Sequence, residues 1–161
     1  LNRGMVTLNR IDDLHSHNAA TVQKVPRQAA KNLPLIVCVD DSPQVGYLME
    51  EALRPVGYRC ISIQDSIQAL AQIIRHKPSL IFLDLVMPVA NGYEICKQIR
   101  RVKAFRKTPI VILTGNDGIV DRMRAKAVGA TDFMAKPVDP IKVIEVVRSQ
   151  LANIESMSKD S

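Results

Sequence analysis

Tryptophan is absent and aromatic residues make up only 4% of the 161 residues. Any core must therefore be mostly aliphatic, and a surface for stacking nucleic-acid bases is hard to build. No apolar run approaches the ~18 residues that cross a bilayer. No secretory pattern stands at the start, so a cytoplasmic protein is expected. Cysteine is scarce: Cys38, Cys60 and Cys96 form an odd set without a Cys-x-x-Cys pair. A disulfide framework and a thiolate metal site are both disfavoured, and small core residues in a reducing compartment are the better account. Internal repeats and low-complexity tracts are also missing. The chain opens on Leu rather than Met, as a piece of a longer protein would.

What is present is a hydrophobic share of 47%, enough for one core, and a net charge of +6. Excess base can steer a protein towards acidic partners or nucleic acid. The densest cluster is Arg100, Arg101, Lys103, Arg106 and Lys107. It falls where a helix should end, and cations there suit the helix dipole. A solvated helix end is therefore expected, and direct nucleic-acid binding is not. Leu1 to Pro34 holds no sustained period and is expected to be a linker or the remnant of an upstream domain. His15 and His17 close behind Asp12 and Asp13 resemble metal ligands in type, but nothing rigid holds them. Residues 35–152 form the expected domain, and 153–161 a polar tail.

Within that domain, Leu35 to Val39 and Leu80 to Leu83 are continuous apolar runs, the pattern of strands buried on both faces. Pro109 to Leu113 reads likewise. Tyr58 to Ile63 alternates, which predicts an edge strand, and Thr131 to Ala135 supplies a fifth. Between them lie helical periods. Ser42-Pro43 and Asp139-Pro140 are cap-plus-proline starts. Asp65 is placed to cap a helix over Ser66 to Arg75, with Leu70, Ile73 and Ile74 inward. Asn91 and Glu94 open a helix to Arg100 with Ile95, Cys96 and Ile99 inward. Gly129 closes one over Ile119 to Ala127. The last helix should bury Ile141, Ile144, Val147 and Leu151. Five strands alternating with five helices predict an α/β doubly wound parallel sheet of flavodoxin-like order, 2-1-3-4-5.

Ligands of such sheets sit outside the carboxyl ends of the strands. Four of these ends carry Asp40-Asp41, Asp84, Thr114 and Lys136. Three crowded carboxylates repel unless one takes a proton or a hard cation joins them. Magnesium accepts oxygen ligands and often binds one or two carboxylates with a phosphate. One Asp can then attack phosphorus, while Lys136 and the Thr114 hydroxyl face the transferred oxygens.

These residues, with Leu83 to Pro88, Asn91-Gly92, Thr114-Gly115, Gly129-Ala130 and Phe133 to Pro137, resemble the response-regulator receiver domain. The resemblance covers roughly Leu35 to Ala152. Val39 to Val45 and Thr114 to Arg122 look closest to PatA-type regulators of cyanobacteria. The resemblance implies that Asp84 is the phosphoacceptor. It implies that Asp41, Asp84 and the backbone carbonyl of Val86 bind Mg2+, with Asp40 acting through a bound water. It gives Lys136 a phosphate-pairing role and a cis bond to Pro137. Thr114 and Phe133 become switch residues. The lifetime-tuning positions are Val86 and Asn116, neither a strong base, so fast built-in hydrolysis is not expected.

The function so implied is a signalling module rather than a metabolic enzyme. A histidine kinase or histidine phosphotransfer protein phosphorylates it, and its fourth helix, fifth strand and last helix signal to a protein partner. A phosphorylation-dependent dimer fits the same scheme. No DNA-binding unit fits after Leu151, so output falls to protein contacts or to a domain ahead of residue 1. Three other classes fit the residues less well. A phosphorylation-independent interaction module leaves the complete acid set unused. A phosphohydrolase would want an acid where Val86 stands. A flavin carrier lacks a phosphate-cradling loop.

Overall fold

Strands β1 (Leu35–Val39), β3 (Leu80–Asp84) and β4 (Ile110–Thr114) are buried along their whole length. That burial follows from their place at the centre of a parallel sheet, where helices cover both faces. The computed structural model describes residues 27–115 and 118–160. The sheet has five strands in the order β2-β1-β3-β4-β5, all parallel. Its edges are β2 (Arg59–Ile63) and β5 (Asp132–Ala135), both partly exposed. The expected order and the edge position of β2 are therefore observed.

The pleat sends alternate residues to opposite faces and divides the core. Val37, Val39, Ile81, Leu83, Ile110 and Ile112 meet helices α2 (Ala69–His76), α3 (Gly92–Arg101) and α4 (Ile119–Ala127). Ile36, Cys38, Leu80, Phe82, Val111 and Leu113 meet α1 (Pro43–Leu53) and α5 (Pro140–Lys159). Each fully buried aliphatic side chain contributes about 1.5–3 kcal/mol, so the scarcity of aromatics is no handicap. A single helical turn, Arg27–Lys31, precedes β1.

Several local expectations need correction. Helix α2 starts at Ala69, not Ser66, because the Asp65 carboxylate accepts from the Ile67 N–H at 2.9 Å and holds a turn. Its buried residues are Ala69 and Ile73, whereas Ile74 is exposed. In α5 the buried stripe runs through Val143 and Val147, and Ile141 faces solvent. Asp139 accepts from the Ile141 N–H at 2.9 Å, which fixes the helix entry and its rotation. Ser42 occupies the N-cap of α1 without capping it, since its hydroxyl donates to Gln44 at 3.0 Å. The expected polar tail is helical through Lys159, and Ser156 and Ser158 donate to carbonyls of the preceding turn. The expectations for His15, His17 and Asn116 lie outside the described residues.

Candidate functional site

The polar ends of β1, β3, β4 and β5 meet at one rim. Asp40 follows β1 directly and is fully buried. Its backbone N–H donates to the Ile63 carbonyl at 3.1 Å, which extends the ladder by one residue. One carboxylate oxygen accepts from the Ser42 N–H at 2.9 Å; the other lies 2.7 Å from the Lys136 ammonium. Asp84 is the last residue of β3 and is also buried. Its Oδ1 accepts from the Val86 N–H at 3.3 Å and lies 3.3 Å from Lys136 Nζ. Asp41 is exposed beside them, and a ligand oxygen from each of the three aspartates falls within 4.8 Å of the others.

Thr114 ends β4 and is buried; its carbonyl accepts from the Lys136 N–H at 2.7 Å. This bond carries the β4–β5 pairing one step past Ala135 and delivers the lysine to the rim. The Lys136–Pro137 peptide is cis, as expected. Val86 pairs with Asn91 in an isolated bridge that closes the loop after β3, and the residue is 79% exposed. Gly92 begins α3 against that loop. A Cβ there would collide with the Asp84 carbonyl oxygen and Leu85 Cα, so only glycine permits this approach. Asn91 caps the helix by accepting from the Tyr93 N–H at 2.8 Å, while Glu94 pairs with Lys97 instead of closing the box. Phe133 lies half-buried on β5 with the Arg122 guanidinium 5.1 Å from its ring centre.

Electrostatics set the chemistry of this rim. Burial, together with the Asp40 charge, raises Asp84 above the usual carboxylate value, and Lys136 only partly opposes this. Burial pulls Lys136 down, but Asp40 and then Asp84 outweigh it, so its ammonium is held above the ordinary lysine value. Among the described residues Lys136 pairs with Asp40 and Asp84, and Asp41 has no cation of its own. Oxygen donors at this spacing, short of positive charge, fit a hard divalent cation, and Asp40, Asp41 and Asp84 are the residues that would hold it.

Two arrangements were not visible in the sequence. Tyr93 on α3 donates to the Asp121 carboxylate on α4 at 3.1 Å, and Arg124 lies 4.5 Å from the Tyr93 ring centre. Arg100 leaves the basic cluster to which the sequence assigned it. Its guanidinium donates to the carbonyls of Gly129, Phe105 and Thr108 at 2.8, 2.7 and 2.6 Å and to the Thr131 hydroxyl at 3.3 Å. Gly129 sits in that lock with a φ of 92°, a left-handed turn that ends α4. Spacing alone carries no signal for either.

An acid-lined rim with a half-buried lysine, at the carboxyl ends of a 2-1-3-4-5 parallel sheet, defines an α/β domain of the flavodoxin-like class. The chain belongs to the response regulator receiver domain family, whose model matches residues 36–148. Protein PilG of Pseudomonas aeruginosa is 30% identical over 116 residues, covering 72% of this chain and 86% of that protein. Transcriptional regulatory protein BaeR of Escherichia coli is 35% identical over 121 residues, 75% of this chain but only 49% of the relative. The chain thus spans most of one relative and about half of the other. Among solved structures, chemotaxis protein CheY4 of Vibrio cholerae matches with a TM-score of 0.71 at 29% identity, covering 74% of this chain and 99% of that one. Receiver domains of this family are signalling modules of two-component systems, not metabolic enzymes. No helix among the described residues is long and apolar enough to cross a membrane.

Proposed function

We propose that the chain accepts a phosphoryl group on Asp84 from a histidine kinase or a histidine phosphotransfer protein and passes the signal to a protein partner. The observation that carries this reading is the Lys136 ammonium lying 2.7 Å from Asp40 and 3.3 Å from Asp84. In the transfer an Asp84 carboxylate oxygen forms a bond to phosphorus as the phosphorus–nitrogen bond breaks, and the imidazole leaves with its electron pair. Lys136 holds charge on the transferred oxygens, and the Thr114 hydroxyl turns to hydrogen-bond one of them. Magnesium, when bound, neutralises the carboxylates and the phosphoryl oxygens. Asp41, Asp84 and the Val86 carbonyl would hold it, with the Asp40 carboxylate beside them adding negative charge.

The product adds a charge of about −1.5 to −2 beside Thr114. We assign the response to α4, β5 and α5, with Phe133 following Thr114. The exposed Ile119, Val120, Met123 and Ile141 give that face apolar area for a partner or a second phosphorylated copy. The exposed, apolar Val86 cannot orient a hydrolytic water, so the acyl phosphate is slow to hydrolyse. A cytoplasmic setting and the closer likeness to PatA-type regulators of cyanobacteria belong to the same proposal. The test is incubation with magnesium and acetyl phosphate. A hydroxylamine-sensitive label on Asp84, lost with chelator and in Asp84→Asn, is expected. Partner binding that is identical with and without label, or labelling that survives Asp84→Asn, would overturn the reading.

A further inference from the structure

At the opposite pole of the sheet, where the strands begin, lies a groove of about 370 Å3 that phosphoryl transfer does not use. It is lined by Pro34 at the entry to β1, by Ala104 and Lys107 ahead of β4, and by Leu151, Ile154 and Glu155 on α5. The lining is mainly apolar, with one cation, Lys107, and one carboxylate, Glu155. Leu151 and Ile154 remain half-exposed there. Beside Lys107 stand Lys103 and Arg106, exposed and without an ion pair among the described residues.

We propose that this groove is the docking site for the chain's own segment Arg10-Ile11-Asp12-Asp13-Leu14. Three observations favour this occupant over an unlinked one. First, the described residues begin only a few positions ahead of the groove: Arg27–Lys31 is one turn of helix, and Pro34 just after it is a lining residue. A tethered segment reaches millimolar effective concentration, so it needs little intrinsic affinity. Second, the reach suffices, because the dozen residues from His15 to Pro26 span up to about 40 Å at ~3.4 Å each. Third, the charges match in order. Asp12 and Asp13 are the only acids before Arg27, and Arg10 precedes them across Ile11. With Ile11 and Leu14 in the groove, Arg10 faces Glu155 and the aspartates face Lys107 and its basic neighbours. Whatever precedes the domain is thereby joined to the end of α5 and to the loop before β4, on the far side from Asp84.

Amide hydrogen exchange on the full chain tests this. Replacing Ile11→Asp with Leu14→Asp should raise exchange by roughly tenfold at residues 8–14, in the loop 103–108 and at 151–155. Asp12→Lys with Asp13→Lys should do the same, and adding Lys107→Glu should restore protection. Core amides of β1 and β3 stay slow in every variant, which reports the fold. Equal exchange in the wild type and both variants overturns the proposal. So does protection that rises with protein concentration alongside a dimer in sedimentation, because a second copy then fills the groove.

Discussion

Asp84 carries the tension of the site. It is buried, faces the charge of Asp40, and shares one ammonium with it. Its pKa is raised from 3.8, first by burial and then by Asp40. A carboxyl that holds its proton more tightly folded than unfolded contributes stability that is complete below the unfolded value and is lost as pH rises through the folded one. Metal-free protein should therefore lose stability from this group as pH climbs above about 4. Asp84→Asn removes the loss. At pH 7 in chelator its melting midpoint should lie roughly 2–6 °C above wild type, the shift of about 1 kcal/mol in a domain of this size. The gap should narrow towards pH 4 and reverse with saturating magnesium, which stabilises only the intact site. Lys136→Met should act the other way. It leaves two buried carboxylates without their cation, and metal-free stability should fall by about 1–3 kcal/mol in urea titration. These residues were legible in the sequence because each is a polar residue closing an apolar run. The distances were not, nor was the failure of Ser42 to cap, which depends on Gln44 lying within reach of its hydroxyl.

At the scale of elements, periodicity located the helices but not always their rotation. Ile141 and Val143 are both apolar near the start of α5, and only the docked helix shows which is inside. Val147→Ala should cost about 1–3 kcal/mol by chemical denaturation, while Ile141→Ala should stay within roughly 0.5 kcal/mol. Equal costs would contradict the observed rotation. The Arg100 lock gives a parallel test. It ties the end of α3 to the loop before β4 and to the turn before β5. Arg100→Met strips these acceptors of their donor and should cost about 1–3 kcal/mol. Arg101→Met, exposed one position on, should change little. The two arginines are indistinguishable in sequence, since both sit in one basic run; only the facing carbonyls, about 30 residues away or in the next loop, separate them.

For the whole molecule, the sheet order follows from strands that alternate with helices and from the right hand of their crossovers. Three continuous apolar runs had to be central and the mixed ones had to be edges, so the fold was almost wholly legible. Once that order holds, β1, β3, β4 and β5 are neighbours and their ends must converge. What the chain could not reveal is the opposite pole, where the groove depends on how far α5 overhangs the sheet. The two proposals divide the labour between the poles: phosphoryl chemistry at the carboxyl ends of the strands, tethering where they begin.

Magnesium titration followed by amide NMR shifts addresses the convergence of the acids most directly. The account predicts saturable changes at Asp40, Asp41, Asp84, Val86 and Lys136, absent in Asp84→Asn, with the pole near Pro34 unmoved. Magnesium that fails to bind at millimolar concentration, or that shifts residues away from this rim while leaving Asp84 unchanged, would contradict it.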